Sequence, residues 1–183
     1  MHAVGLDRDR KDLKEAMDFV NRSLQNQRIK HSLVQGSRSV PKGPAVPEAT
    51  YTLADTREHY QAGDTRTLRF LLGDTRQVGF LMRKTPVELL VTDLPYGVQH
   101  APSGKGSLQA LMEDVSSEWF AALEPGGALA LAFNRNTLRR DAVISALTRA
   151  GFRMAEGDCY EGLEHWVEQA VTRDLLVAVV PTA

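Results

Sequence analysis

Val87-Glu88-Leu89-Leu90-Val91-Thr92-Asp93-Leu94-Pro95-Tyr96-Gly97 joins a compact apolar run to an abrupt polar stop. A short run rich in Val and Leu, bounded by Asp, Pro and Gly, reads as a strand buried inside a sheet. The residues after it break the chain: Pro95 cannot continue a ladder, and Gly97 lets the backbone turn away.

Working outward, a loop rich in Pro, Ser and Gly runs to Gly106. Leu108 to Leu123 then repeats at the helical period through Leu111, Met112, Val115 and Trp119. Pro125-Gly126-Gly127 ends that element, and Ala128 to Phe133 reads as a second buried strand. Thr137 to Ala150 is a helix with Leu138, Val143, Ile144 and Leu147 inward, stopped by Gly151. Phe152 to Cys159 is a candidate strand, and Val171 to Val180 a clear one.

Upstream, Ala3 to Asp7 reads as the end of a short buried strand. An amphipathic helix of about 24 residues follows from Asp9, with Leu13, Ala16, Met17, Val20 and Leu24 on one face. Asp7 and Asp9 suit its cap. Gln35 to Pro47 carries glycines and prolines and reads as a loop. The triplet Asp-Thr-Arg occurs at Asp55, Asp64 and Asp74, which fits strands ending in similar turns, or chance. Strands alternating with helices argue for an α/β fold, a three-layer sandwich around a mostly parallel sheet.

The 183 residues allow one domain with a real core. Hydrophobic residues at 43% and charged residues at 25% are ordinary globular composition. No apolar run is long enough to cross a bilayer, and the N-terminus does not read as a signal peptide. With the single Cys159 no intrachain disulfide forms, and the expected compartment is the cytoplasm. The five histidines have no zinc-like partners, so no metal is expected. The net charge of -1 lacks the basic surplus of a protein that grips nucleic acid unaided. Basic residues gather only locally, at Arg8, Arg10, Lys11 and Lys14 and at Arg135, Arg139 and Arg140, groups that also read as solvated helix faces.

The strand end at Asp93 is where open α/β sheets place their sites. Its residue types suit an exocyclic base amine, a poor nucleophile because its lone pair is delocalised into the ring. The Asp93 carboxylate and the Leu94 carbonyl can accept both amine hydrogens and favour the developing positive charge. Pro95 adds no N–H, so the loop presents acceptors, and Tyr96 offers a flat face to an extruded base. A strand followed by Asp, Pro and Gly is also a common turn.

Asp93-Leu94-Pro95-Tyr96-Gly97 resembles the Asp/Asn-Pro-Pro-Tyr signature of amino-methyltransferases. In this form it is similar to RNA methylases grouped with the THUMP-associated tRNA guanine methyltransferases, which are class I S-adenosylmethionine-dependent enzymes. Leu71-Leu72-Gly73-Asp74-Thr75-Arg76, 19 residues before Asp93, resembles the segment whose Asp lies near the cofactor adenine. Leu53-Ala54-Asp55 fits the same segment, so Asp55 is an alternative to Asp74. Val4-Gly5-Leu6-Asp7-Arg8-Asp9 resembles the second strand of that fold, whose terminal acid bonds the cofactor ribose. Thr172-Arg173-Asp174 resembles the entry to the last, antiparallel strand.

The resemblance covers nearly the whole chain. It implies S-adenosylmethionine as cofactor, held by Asp7 and Asp74, and a catalytic set of Asp93, Leu94, Pro95 and Tyr96. The implied substrate is a base amine, guanine in tRNA or rRNA, gripped with help from another domain or chain. The implied organisation is a single Rossmann-like methyltransferase domain over residues 1–183, with an insertion at about 35–66.

The departure lies at the start. The first strand and its glycine-rich turn are absent, and no Gly-x-Gly follows a strand downstream; Gly104-Lys105-Gly106 suits a substrate loop. The expectation is an N-terminally incomplete domain, a fragment, a chain completed by another chain or by self-association, or one that has lost cofactor binding. A non-catalytic methyltransferase-like subunit is therefore the alternative reading. Of the remaining residues, His100 is placed to touch a substrate, Trp119 and Trp166 read as packing residues, and Cys159 reads as a small buried hydrophobe.

Overall fold

The computed structural model describes residues 2–96 and 108–182. Its chain divides into two compact units, Met1–Gln77 and Val78–Ala183. Gly97, His100, Ser103 and Gly104-Lys105-Gly106 lie outside the described residues.

In the first unit the elements are β1 (Ala3–Asp7), α1 (Arg10–Asn26), β2 (Lys30–Arg38), β3 (Val46–Ala54), α2 (Arg57–Ala62) and β4 (Arg66–Leu72). A short 3-10 turn, Thr75–Gln77, follows. The sheet order is β1-β4-β3-β2. β1 and β4 are parallel, while β3 runs antiparallel to both β4 and β2.

Helix α1 has 17 residues and ends well short of the expected length. Arg28 adopts φ 54° just beyond it, and the chain reverses into β2. Asp9 caps the helix, its carboxylate accepting from the Lys11 N–H at 2.7 Å. Leu24 is buried, and Leu13, Met17 and Val20 pack with it on Ala49, Tyr51 and Phe70 of the sheet. The Tyr51 and Phe70 rings meet edge to face at 6.1 Å. Ala16 lies on the exposed side.

The loop expected over Gln35 to Pro47 is corrected to residues 39–45, because β2 and β3 pair from Lys30↔Ala54 to Arg38↔Val46. Pro47 is tolerated because pairing with β4 begins only at Glu48.

The second unit holds α3 (Val78–Met82), β5 (Val87–Asp93), α4 (Leu108–Ala122), β6 (Leu123–Asn134), α5 (Arg140–Ala150), β7 (Arg153–Met154), β8 (His165–Glu168) and β9 (Val171–Val179). The order is β5-β6-β9-β7, with β8 also on β9. β5 and β6 are parallel; β9 runs antiparallel to β6, β7 and β8. The expected antiparallel last strand is present, but the mostly parallel sheet is not: both sheets are mixed.

One face of this sheet is well packed. Leu129, Leu131 and Phe133 alternate inward from β6 and meet Met112, Val115 and Trp119 of α4 and Val143 and Leu147 of α5. Three further readings are corrected. β5 is an edge strand, not one buried on both sides: β6 is its only strand partner among the described residues, and Leu89 and Val91 on one face are 58% and 72% exposed. Phe152 to Cys159 yields only the two-residue β7, and Cys159 is exposed on the connection after it. Trp119 is packed as expected, but Trp166 on β8 is 71% exposed.

Gly151 ends α5 at φ 106°, and a Cβ built there would lie 3.0 Å from the Phe120 ring. Gly151→Ala should therefore lower stability by about 1–2 kcal/mol, through left-handed strain and this clash together. Urea unfolding with an unchanged midpoint would contradict that account.

Candidate active site at the end of β5

The end of β5 is pinned by a buried side chain. Leu94 is 6% exposed and sits in the core, and its N–H continues the parallel ladder to the Ala132 carbonyl at 2.9 Å. Burying Leu94 turns its neighbour Asp93 outward, where the carboxylate is 55% exposed. The motif is thus a strand end extended by one anchored residue.

Tyr96 is half-buried and held at both ends. The buried Asn134 side-chain amide donates to its carbonyl at 3.4 Å and to the Ala170 carbonyl at 3.0 Å. The Asn134 oxygen accepts from the N–H groups of Asn136 and Thr172, both at 3.1 Å. At the other end the Arg173 Nε–H donates to the Tyr96 hydroxyl at 2.5 Å. A second guanidinium nitrogen lies 3.7 Å from Asp93 Oδ2, close enough for charge attraction but long for a hydrogen bond.

Burial pushes the Tyr96 phenol above its ordinary range. Its hydrogen bond to the Asp93 carboxylate pushes the same way, and Arg173 works against both. The phenol is therefore neutral at neutral pH, and its oxygen accepts from Arg173.

Asp7 and Asp74 belong to the first unit. β1 and β4 are parallel with Asp7 opposite Leu72, so the two acids follow neighbouring strands at the same edge. The Asp7 carboxylate accepts from the Asp9 N–H at 2.7 Å. Asp74 accepts from the Arg76 N–H at 2.9 Å and pairs with its guanidinium at 3.1 Å. Asp55 directly follows β3, which runs antiparallel to β4, so it lies at the opposite edge, paired with Arg66 at 3.2 Å. Strand direction thus separates two acids with near-identical sequence contexts.

Asn134 and Arg173 escaped the sequence reading. Their signal was slight: each is a polar residue at the end of an apolar strand run. The local basic groups are largely engaged within the chain. Lys11 pairs with Glu15, Lys14 with Asp18, Arg135 with Glu164 and Arg139 with Asp141. Among the described residues there is no cluster of ligands for a metal ion, and no helix is long and apolar enough to cross a membrane.

No family model and no curated protein matches the chain. Solved structures do resemble it in part. TrmN from Thermus thermophilus is 24% identical over 68% of this chain and 32% of its own, at a TM-score of 0.41. The 16S rRNA (adenine(1408)-N(1))-methyltransferase W203A mutant with cosubstrate SAM from Catenulisporales acidiphilia is 16% identical, covering 62% of each chain, at 0.41. A possible exported protein from Bordetella parapertussis is 15% identical over 98% of this chain and 53% of its own, at 0.48. The chain thus spans less than two thirds of the length of each of these structures.

Proposed function

We propose that this chain acts in S-adenosylmethionine-dependent methyl transfer to an exocyclic amino group of a nucleic-acid base, guanine in tRNA or rRNA. The observation that carries the reading is the pairing at the end of β5: an outward carboxylate at Asp93 beside a fixed, neutral aromatic ring at Tyr96. A base stacked on Tyr96 would bring its amine to the acceptors of Asp93 and Leu94. Their negative charge and dipole favour the amine as it gains positive character, and Asp93 can take the proton that the methylated nitrogen sheds.

The cofactor, when bound, supplies a methyl group on a positively charged sulfur. Asp7 and Asp74 suit the ribose and adenine, since hydroxyls and an amine donate to carboxylates and both acids sit at one sheet edge. The ends of β1 and β5, among the described residues, offer the methionine end no equivalent. Among the described residues β1 leads into Arg8-Asp9 and β5 into Leu94-Pro95, neither of them a glycine turn that would expose backbone N–H groups. The chain alone is therefore expected to bind S-adenosylmethionine only weakly, with a dissociation constant above about 100 μM by calorimetry. Micromolar binding would show that another segment supplies the cradle.

A second reading is favoured by the edges. β1 has β4 as its only strand partner among the described residues, and β5 has only β6. Open edges invite a further strand, so the chain would work as a methyltransferase-like subunit completed by another chain or by self-association. The segment 35–66 would then be an insertion in one methyltransferase-like domain. Transfer of labelled methyl to unmodified tRNA, rRNA and DNA, beside a mass measurement in solution, separates the readings. Transfer to RNA by the wild type that Asp93→Ala lowers by about 10²–10³-fold supports the first. A stable assembly that never transfers supports the second.

A further inference from the structure

We propose that Arg173 is a positioning residue for this site: it holds the Tyr96 ring at its hydroxyl end and ties it to the Asp93 carboxylate. The inference rests on the reading of Asp93 and Tyr96 as the base-binding pair.

Arg173 faces Asn134 directly across the β6–β9 ladder. One strand pair therefore carries both holds on Tyr96, Asn134 on the backbone and Arg173 on the ring. Asn134 is 1% exposed and makes four hydrogen bonds, so its amide orientation is fully determined. With the carbonyl so held, the remaining freedom of Tyr96 lies in its side-chain torsions. The 2.5 Å bond from Arg173 Nε removes it. The guanidinium carbon lies over the ring, 5.3 Å from its centroid, so a base would stack on the opposite face.

Strand alternation keeps Arg173 available for this task. The next residue, Asp174, points to the opposite side of β9 and is neutralised there by Arg140 at 2.7 Å. Arg173 thus meets Asp93 as its carboxylate partner. A guanidinium offers its donors as a rigid planar fork, and here the fork spans a phenol and a carboxylate. A ring already immobilised loses less rotamer freedom when a base stacks on it, so the benefit falls on base binding.

The test uses the 183-residue chain with its tyrosines isotope-labelled at Cζ. Tyr96→Phe identifies the Tyr96 resonance. Arg173→Gln should shift that resonance and leave Tyr51, Tyr60 and Tyr160 in place; an unmoved Tyr96 signal overturns the proposal. Should Arg173→Gln fail to fold, Tyr96→Phe reads the same bond through the Arg173 Nε–H signal, which must move. Affinity for a single-stranded RNA oligonucleotide gives the second arm. Arg173→Gln and Tyr96→Phe should each weaken it about three- to tenfold, and the double variant no more than either alone. Losses that multiply, with a salt dependence reduced only by Arg173→Gln, would make Arg173 an independent phosphate contact and overturn the positioning role. If the wild type transfers no methyl group, the functional reading fails while the resonance arm still decides the role of Arg173.

Discussion

Replacing Asp93 with alanine is expected to lower the rate of methyl transfer by about 10²–10³-fold, the usual effect of removing one preorganised group from a developing charge. The reason is differential. A base amine is nearly neutral when it binds and turns positive as its lone pair forms the new bond, so the carboxylate contributes most at the transition state. The loss should therefore appear in kcat, with KM little changed. Asp93→Asn keeps the shape and one acceptor oxygen but not the charge, and should fall between wild type and alanine. Asp93 is 55% exposed and its side chain lies outside the core, so the variant should fold. Single-turnover transfer to RNA, in whatever assembly is active, is the measurement. A rate equal to wild type would remove Asp93 from the chemistry.

Replacing Arg140 with alanine is expected to destabilise the second unit by about 3–5 kcal/mol, the cost of leaving a buried carboxylate without its counter-ion. The Asp174 side chain is 2% exposed, and Arg140 meets its Oδ1 at 2.7 Å. The Leu175 N–H donates to the same oxygen at 2.8 Å, while Oδ2 has no hydrogen-bond partner. One neutral donor cannot replace a guanidinium in that setting. The same Arg140 nitrogen also reaches the Leu175 carbonyl at 3.2 Å, so the change loosens β9 directly. Removing both charges together, as Arg140→Met with Asp174→Leu, should cost much less, because no charge is then stranded. Urea unfolding followed by Trp119 fluorescence in a Trp166→Phe background reads the unit that matters. A loss below about 1 kcal/mol would mean that water reaches Asp174.

Much of the local structure was determined by sequence alone. The strand ending at Asp93, the helix with Met112, Val115 and Trp119 inward, the Gly151 stop and the apolar last strand are each set by period-2 or period-3.6 patterns and by residues that break them. Such patterns act over a few residues, so they are legible without a fold. The tertiary structure decided what depends on partners distant in sequence. A run such as Val87 to Thr92 reads as buried whether or not a second neighbour exists, and only the pairing shows β5 to be an edge. Asp55 and Asp74 have nearly the same neighbours along the chain; the antiparallel course of β3 sends them to opposite edges. Trp166 and Cys159 looked like packing residues by type, yet the short segments that bear them leave both exposed. Asn134 and Arg173 reach Tyr96 from 38 and 77 positions away, because β6 and β9 lie side by side. Hydrogen bonds follow distance in space, and that distance exists only once the sheet has formed.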